Sequence, residues 1–414
     1  MQKNFLSLFD PRSESALLMV VFVPTFVLTF GRGILIPVLP LYADSFNVSL
    51  GLVGLALASQ GIGNIVGDIP AGIFLRNTSE RRVMQVSICI MAATMVAAGL
   101  SSTLWQLIIY CFLAGIGMAF WNISRHTYVT RVTTREQRGR AIAILGGVSR
   151  IGTFAGPVFG GYIADSWGLR SPLLIVGIII ALIIYFPIKF AGKPSVTEAS
   201  QNRDTTKQSN HGSGHGLLHH LDDLGLFIKA QKSVVIPAGL GQLLAQMIRA
   251  GRQVIIPLYG ANVIGLDVVT IGWFVTIVAA IDMSLFPVAG LLMDRVGRKY
   301  AYMPSFIIQG IGMAFVPLTI TEIPFLLAAS LIGLGNGLGS GTMMTLGADL
   351  APSGKSMSEF LGFWRLIGDL GQSGGPIVVG SMAAIFGLPV ATFMIAVAGL
   401  TAGTMLGVFG GGSF

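Results

Sequence analysis

Long runs of apolar residues separated by short polar loops dominate this chain, with neither the single stripe of a water-facing helix nor the alternation of a half-buried strand. Such runs suit helices surrounded by lipid, where about 20 residues rising 1.5 Å each cross a hydrocarbon core of about 30 Å. Twelve stretches are long enough, near residues 16–41, 50–75, 83–101, 104–128, 141–164, 172–189, 234–260, 269–293, 300–320, 323–348, 360–384 and 388–409. They predict an all-α membrane protein with twelve transmembrane helices. The first run follows Pro11-Arg12 and is too long for the core of a cleaved signal peptide, so it is expected to stay as the first span.

Composition agrees. Of 414 residues, 53% are hydrophobic and 11% charged, against about 25% charged in soluble domains. The mean hydropathy is +0.77. The 55 glycines lie inside the apolar runs, where small residues let transmembrane helices approach closely. Cys89 and Cys111 also lie in such runs and read as small buried residues without metal-ligand company.

The net charge of +8 is distributed by topology. With the N-terminus inside, the cytoplasmic side receives Lys3, Arg12, Arg76, Arg81, Arg82, Arg131, Arg135, Arg138, Arg140, Arg295, Arg298, Lys299 and Lys355, whereas the outer loops hold Arg170. The positive-inside rule then places both termini in the cytoplasm of a multi-pass plasma (cell inner) membrane protein. Anionic headgroups account for the basic loops, and a nucleic-acid partner is not supported.

An offset of about 218 residues aligns the chain with itself. Gly31-Arg32 through Pro40-Leu41-Tyr42 meets Ile248-Arg249 through Pro257-Leu258-Tyr259, Ala71-Gly72 meets Ala289-Gly290, and Gly115-Ile116-Gly117 meets Gly333-Leu334-Gly335. Two pseudo-symmetric six-helix bundles follow, over 1–189 and 233–414, the arrangement in which transporters place a midplane site. The segment 190–232 between them turns polar and reads as a cytoplasmic linker. In it, Leu217, Leu218, Leu221, Leu224, Phe227 and Ile228 recur at the spacing of a helix lying on the membrane surface. His211, His215 and His219 are spaced by four as metal ligands on a helix would be, but Gly212, Gly214 and Gly216 interrupt them, so a solvated linker is expected and no metal.

After the eighth span stands Gly290-Leu291-Leu292-Met293-Asp294-Arg295-Val296-Gly297-Arg298-Lys299. It resembles the loop motif of the major facilitator superfamily at every defining position. Glycines Gly290 and Gly297 allow the turn, and Asp294, Arg295 and Arg298 can lock a gate by charge pairing and contact with a helix end. In the first half the same stretch is degenerate: Arg76 replaces the acid, Ser79 the glycine and Glu80 an arginine. The fifth span carries Gly152 to Gly161 around Gly156-Pro157, which resembles the superfamily's antiporter motif. The resemblance implies the major facilitator fold, alternating access, and the drug/proton antiporter branch, with efflux by exchange. It implies a small-molecule substrate, a proton as coupling ion, a monomer in membrane lipid, no cofactor and no enzyme activity. One departure weighs against copying the branch's coupling scheme: four residues before Gly115 of the Gly-x-Gly pair, where that branch carries an arginine, stands Cys111.

Charges inside the spans mark candidate sites, because each costs about 2.5–3.5 kcal/mol at the bilayer centre. Arg32, Arg125, Arg150, Arg249, Arg252 and Arg365 stand against Asp68, Asp282 and Asp369. The positive excess favours an anionic or amphiphilic solute. Arg32 and Arg249, superposed by the repeat and each eight residues before a proline, are expected to face one another across the cavity. Two guanidinium forks suit a phosphate or carboxylate, an arrangement similar to the organophosphate/phosphate antiporters of the same superfamily. Alternatively each pairs with an acid or with backbone carbonyls. Arg252 and Trp364 are secondary substrate-site candidates. Arg365 and Asp369, four apart, form either a self-neutralising pair or a substrate and proton site. Asp282 is the best-placed acid for reversible protonation, Asp68 a gate partner for nearby arginines. Arg150 either pairs with Asp369 or lines the motif helix, and Arg125 is expected to snorkel to the cytoplasmic interface. An anion exchanger or lipid flippase of the same fold is the second reading, a non-transporting membrane sensor the third.

Overall fold

The computed structural model describes residues 17–190, 225, 227–352 and 357–409. The proposed surface helix and the histidines of the linker lie outside these residues, apart from Phe227 and Ile228, which are helical. Among the described residues, twelve long helices occupy the twelve expected stretches: α1 (Leu18–Asp44), α2 (Leu50–Asn77), α3 (Glu80–Gly99), α4 (Leu104–Val132), α5 (Arg135–Trp167), α6 (Ser171–Lys189), α7 (Lys232–Ile264), α8 (Val268–Arg295), α9 (Lys299–Leu318), α10 (Glu322–Leu350), α11 (Met357–Phe386) and α12 (Leu388–Phe409). Most overrun the apolar stretches, because their polar ends continue the helix beyond the hydrocarbon. Connections are tight. Gly168, Gly265 and Gly387 take the positive φ that ends a helix abruptly, and Thr103 and Asp267 cap α4 and α8 by accepting from the backbone N–H three residues on.

The packing repeats under a shift of six helices. In the first half α1 packs on α5, α2 on α4, and α4 and α6 on α3; in the second α7 packs on α11, α8 on α10, and α10 and α12 on α9. The halves meet through α2 with α11 and α5 with α8, again a symmetric pair of contacts. These inter-half contacts are backbone-close: a Cβ on Gly54 would collide with the Pro376 carbonyl oxygen, and one on Gly161 would lie 2.8 Å from that of Val268. Both lie toward the end of the bundle opposite the basic loops. There Asn262 Nδ2 also donates to Asp44 at 2.9 Å and Trp273 Nε1 to the Tyr162 hydroxyl at 3.4 Å.

Two spans of the second half are broken. α8 divides at Leu285, before Pro287, and α10 divides at Gly339–Gly341, where Gly341 has φ +79°. Backbone freed at such breaks must find partners, so breaks survive where they border a cavity or a polar side chain.

Candidate functional site

A cavity of about 1200 Å³ lies between the halves. It extends from Pro40 and Pro376, close under the sealed end, to Met344 and Ala348 at the basic end, and Met344, 83% exposed on its wall, shows that it opens there. The glycine-mediated contacts seal the other end.

Five arginines line it: Arg32, Arg150, Arg249, Arg252 and Arg365. Asp282 and Asp369 line it too. Both repeat-related arginines thus share one void. Arg32 is exposed to it and has no hydrogen bond or ion pair among the described residues. Arg249 Nη2 donates to the Gly339 carbonyl at 2.7 Å, its guanidinium lies 5.0 Å from the Phe306 ring centre, and its Nε finds no acceptor.

The acids sit against other arginines. Asp282 Oδ2 accepts from Arg252 Nη2 at 3.4 Å and from Asn336 Nδ2 at 2.5 Å, leaving Arg252 Nη1 and Asp282 Oδ1 without partners. Arg365 stands between Asp369 of its own helix, at 3.5 Å, and Asp68 of α2, at 3.6 Å. The intrahelical pair expected from the spacing is present, with the gate acid added from the other half.

Arg150 does not pair with Asp369. It crosses from α5 to the two breaks, donating to Ser340 Oγ at 3.3 Å and lying 4.1 Å from the Phe286 ring centre. The α10 break therefore receives an arginine from each half, Arg150 at Ser340 and Arg249 at Gly339. Spacing did not reveal this; the dense glycines from Gly333 to Gly341 were its signal.

Trp364 touches the cavity, but its indole N–H donates to the Met343 carbonyl at 2.8 Å and its ring stacks on Phe360. What it offers a solute is a ring edge. Arg125 does not snorkel: it turns inward, donating to Asn122 Oδ1 at 3.2 Å and Thr25 Oγ1 at 3.5 Å. Local polar partners outcompete the longer reach to the headgroups. Cys111 is buried on the cavity wall as expected, whereas Cys89 is exposed on the bundle surface.

In the motif loop, Asp294 and Arg295 are exposed and Arg298 pairs with Asp349 at the end of α10. That pair lies within one half. Gly156 of the fifth-span motif abuts α1, where a Cβ would sit 2.5 Å from Ile34 N, while the Pro157 carbonyl faces Gly272 of α8. Gly156-Pro157 thus sits where α5 meets both α1 and the other half. Gly290 has open space around it, and Gly297 takes φ +114° at the turn.

Two symmetric helical bundles around a one-sided cavity that holds five arginines and two aspartates in a largely apolar wall define a membrane solute transporter rather than an enzyme. The chain belongs to the Major Facilitator Superfamily, whose family model matches residues 21–352 and 238–410. Among its relatives is a probable nitrate transporter, NarT, of Staphylococcus epidermidis, 24% identical over 377 residues and covering 89% of this chain and 90% of that one. Another is multidrug resistance protein MdtG of Enterobacter lignolyticus, 23% identical over 387 residues, with 89% and 86% covered. The crystal structure of a bacterial homologue of the human lysosomal transporter Spinster, inward-facing and unoccupied, matches the fold with a TM-score of 0.77 at 15% identity over 97% of both chains.

Proposed function

We propose that this protein is a secondary active transporter that binds a small anionic or amphiphilic solute between Arg32 and Arg249 and carries it by rocking of the two halves. One observation carries the reading: after every acid in the cavity has found its arginine, Arg32 and Arg249 face the same void with donor groups unspent. A guanidinium without an anion is costly at this depth, and two of them on opposite halves bind best when both close on one negative group. The probable nitrate transporter among the relatives is in keeping with anionic cargo.

The positive-inside rule puts the open end in the cytoplasm, with both termini, in a cell's inner membrane. The direction we favour is efflux by exchange for protons, supported by the antiporter-like Gly156-Pro157 motif and by the cavity acids Asp282 and Asp369. The protein acts as a monomer in this reading, each chain enclosing a complete cavity.

Flux in proteoliposomes against a panel of phosphates, carboxylates, lipophilic cations and lipids tests the proposal. Arg32→Gln and Arg249→Gln should each raise the apparent KM for the transported anion about 10- to 100-fold, the worth of a lost charge-assisted hydrogen bond. Unchanged anion flux in both variants, with normal membrane insertion, would remove the arginines from substrate binding. A sensor would show no flux at all for any member of the panel.

A further inference from the structure

The cavity is lopsided. In the first half it passes between α1 and α4 and reaches the outer helices, where Met91, Met95, Leu173, Val176 and Ile180 wall it with buried apolar surface. In the second half the corresponding helices α9 and α12 contribute no residue to it among the described residues. Packing explains the difference. α12 lies closely along α7, with Gly241 against Leu406 and Gly251 against Ile395, whereas α6 meets α1 only sparsely. Phe306 fills the space under Arg249, and 218 residues earlier the smaller Ile88 stands in its place.

The outcome is an apolar side pocket that starts beside Arg32, whose neighbour Gly31 abuts Val176, and climbs toward the sealed end. Leu173 lies three residues beyond Val176 on α6, roughly 5 Å further toward the sealed end at 1.5 Å per residue. A pocket with such walls excludes water and accepts hydrocarbon, and two methionines let it adapt to chain shape.

We propose that this pocket seats the aliphatic tail of an amphiphilic anion whose head group lies between Arg32 and Arg249. The substrate class is then a single-chain organic anion. This rests on the anion-binding reading above and adds the tail site to it.

The test is equilibrium binding of straight-chain alkyl sulfonates, from ethanesulfonate to tetradecanesulfonate, to the full chain in lipid nanodiscs, with empty nanodiscs subtracted. Affinity should rise about fourfold per methylene and then level off. Ala114→Leu, which narrows the pocket, should bring the plateau to shorter chains, and Met91→Ala, which widens it, to longer ones, with ethanesulfonate binding unchanged in both. A damaged fold would not move the plateau in opposite directions. If ethanesulfonate binds in an Arg32-dependent way but neither variant moves the plateau, the tail pocket is wrong and the anion site stands. If the plateau moves but Arg32→Gln and Arg249→Gln leave every affinity unchanged, the head-group assignment fails and the proposal with it.

Discussion

Glu80 opens α3 and Arg131 lies in the last turn of α4, 3.0 Å apart with their side chains 11% and 34% exposed. Moving each by the repeat offset of 218 residues gives Arg298 and Asp349, which also pair, with the charges exchanged. The glutamate that makes the first-half motif look degenerate is one member of a swapped pair. At an effective dielectric of 20 two such charges attract by about 4 kcal/mol at 4 Å. Desolvation, side-chain entropy and the partial exposure of Arg131 leave about 1–2 kcal/mol net. Glu80→Arg replaces that attraction with repulsion and puts a base at a helix N-terminus, which costs a further 0.3–1 kcal/mol or so. The single variant should lose about 2–3 kcal/mol, and Arg131→Asp about 2 kcal/mol. The double variant restores an ion pair of the polarity used in the second half and should come within about 1 kcal/mol of wild type, a coupling of about 3 kcal/mol. Apparent Tm in detergent, measured at one scan rate because unfolding of such proteins is irreversible, should fall by roughly 2–4 °C in each single variant and recover in the double. If the double variant falls by the sum of the two singles, the pairing is incidental and the swapped-charge account of the motif is wrong.

Asp282→Asn mimics the permanently protonated acid, so solute exchange in proteoliposomes should continue while accumulation driven by a pH gradient drops to background; an unchanged gradient response would exclude Asp282 as the proton site. Arg365→Gln should change stability by less than about 1 kcal/mol, because the arginine is 59% exposed and exposed pairs contribute little, yet it should alter the rate of transport by leaving Asp68 and Asp369 unneutralised across the gap. A fall in Tm of several degrees with turnover intact would make the cluster a structural strut.

The spans were legible because lipid demands long apolar runs, and even α11, with Arg365, Asp369, Gln372 and Ser373 on its cavity side, kept enough apolar positions to be found. The repeat was legible too, and with it the placement of Arg32 and Arg249 on one void. The breaks in α8 and α10 were not. Pro40, Pro70, Pro157 and Pro257 sit inside continuous helices, so a proline such as Pro287 does not by itself announce a break; what differs at the α10 break is a neighbour that satisfies the freed backbone, and Arg249 does so at the Gly339 carbonyl from 90 residues away, with Arg150 on the adjacent Ser340 hydroxyl. Arg125 failed for a similar reason: its inward partner Thr25 is 100 residues distant. Glu80 looked like decay because its compensating partner lies 51 residues along the chain.

The charge links divide by what they join. Arg252 with Asp282 and Arg298 with Asp349 each lie within one half and ride with it as the halves rock. Arg365 with Asp68, and Arg150 with Ser340 and Phe286, cross between halves. Only a link that crosses changes length when the cavity closes at one end and opens at the other, so only such a link can convert its own protonation directly into a bias on access. In the anion-for-proton exchange we propose, protonating Asp282 would act instead through the solute, by releasing Arg252 and its unpartnered Nη1 toward the proposed anion site. Asp68 acts on the opening itself: neutralising it removes the ion pair that draws α2 toward α11, whereas neutralising Asp369, which competes for the same arginine from within α11, leaves Arg365 wholly to Asp68. A transporter exchanging an anion for protons can use both positions, the first to set affinity and the second to set which side the cavity faces.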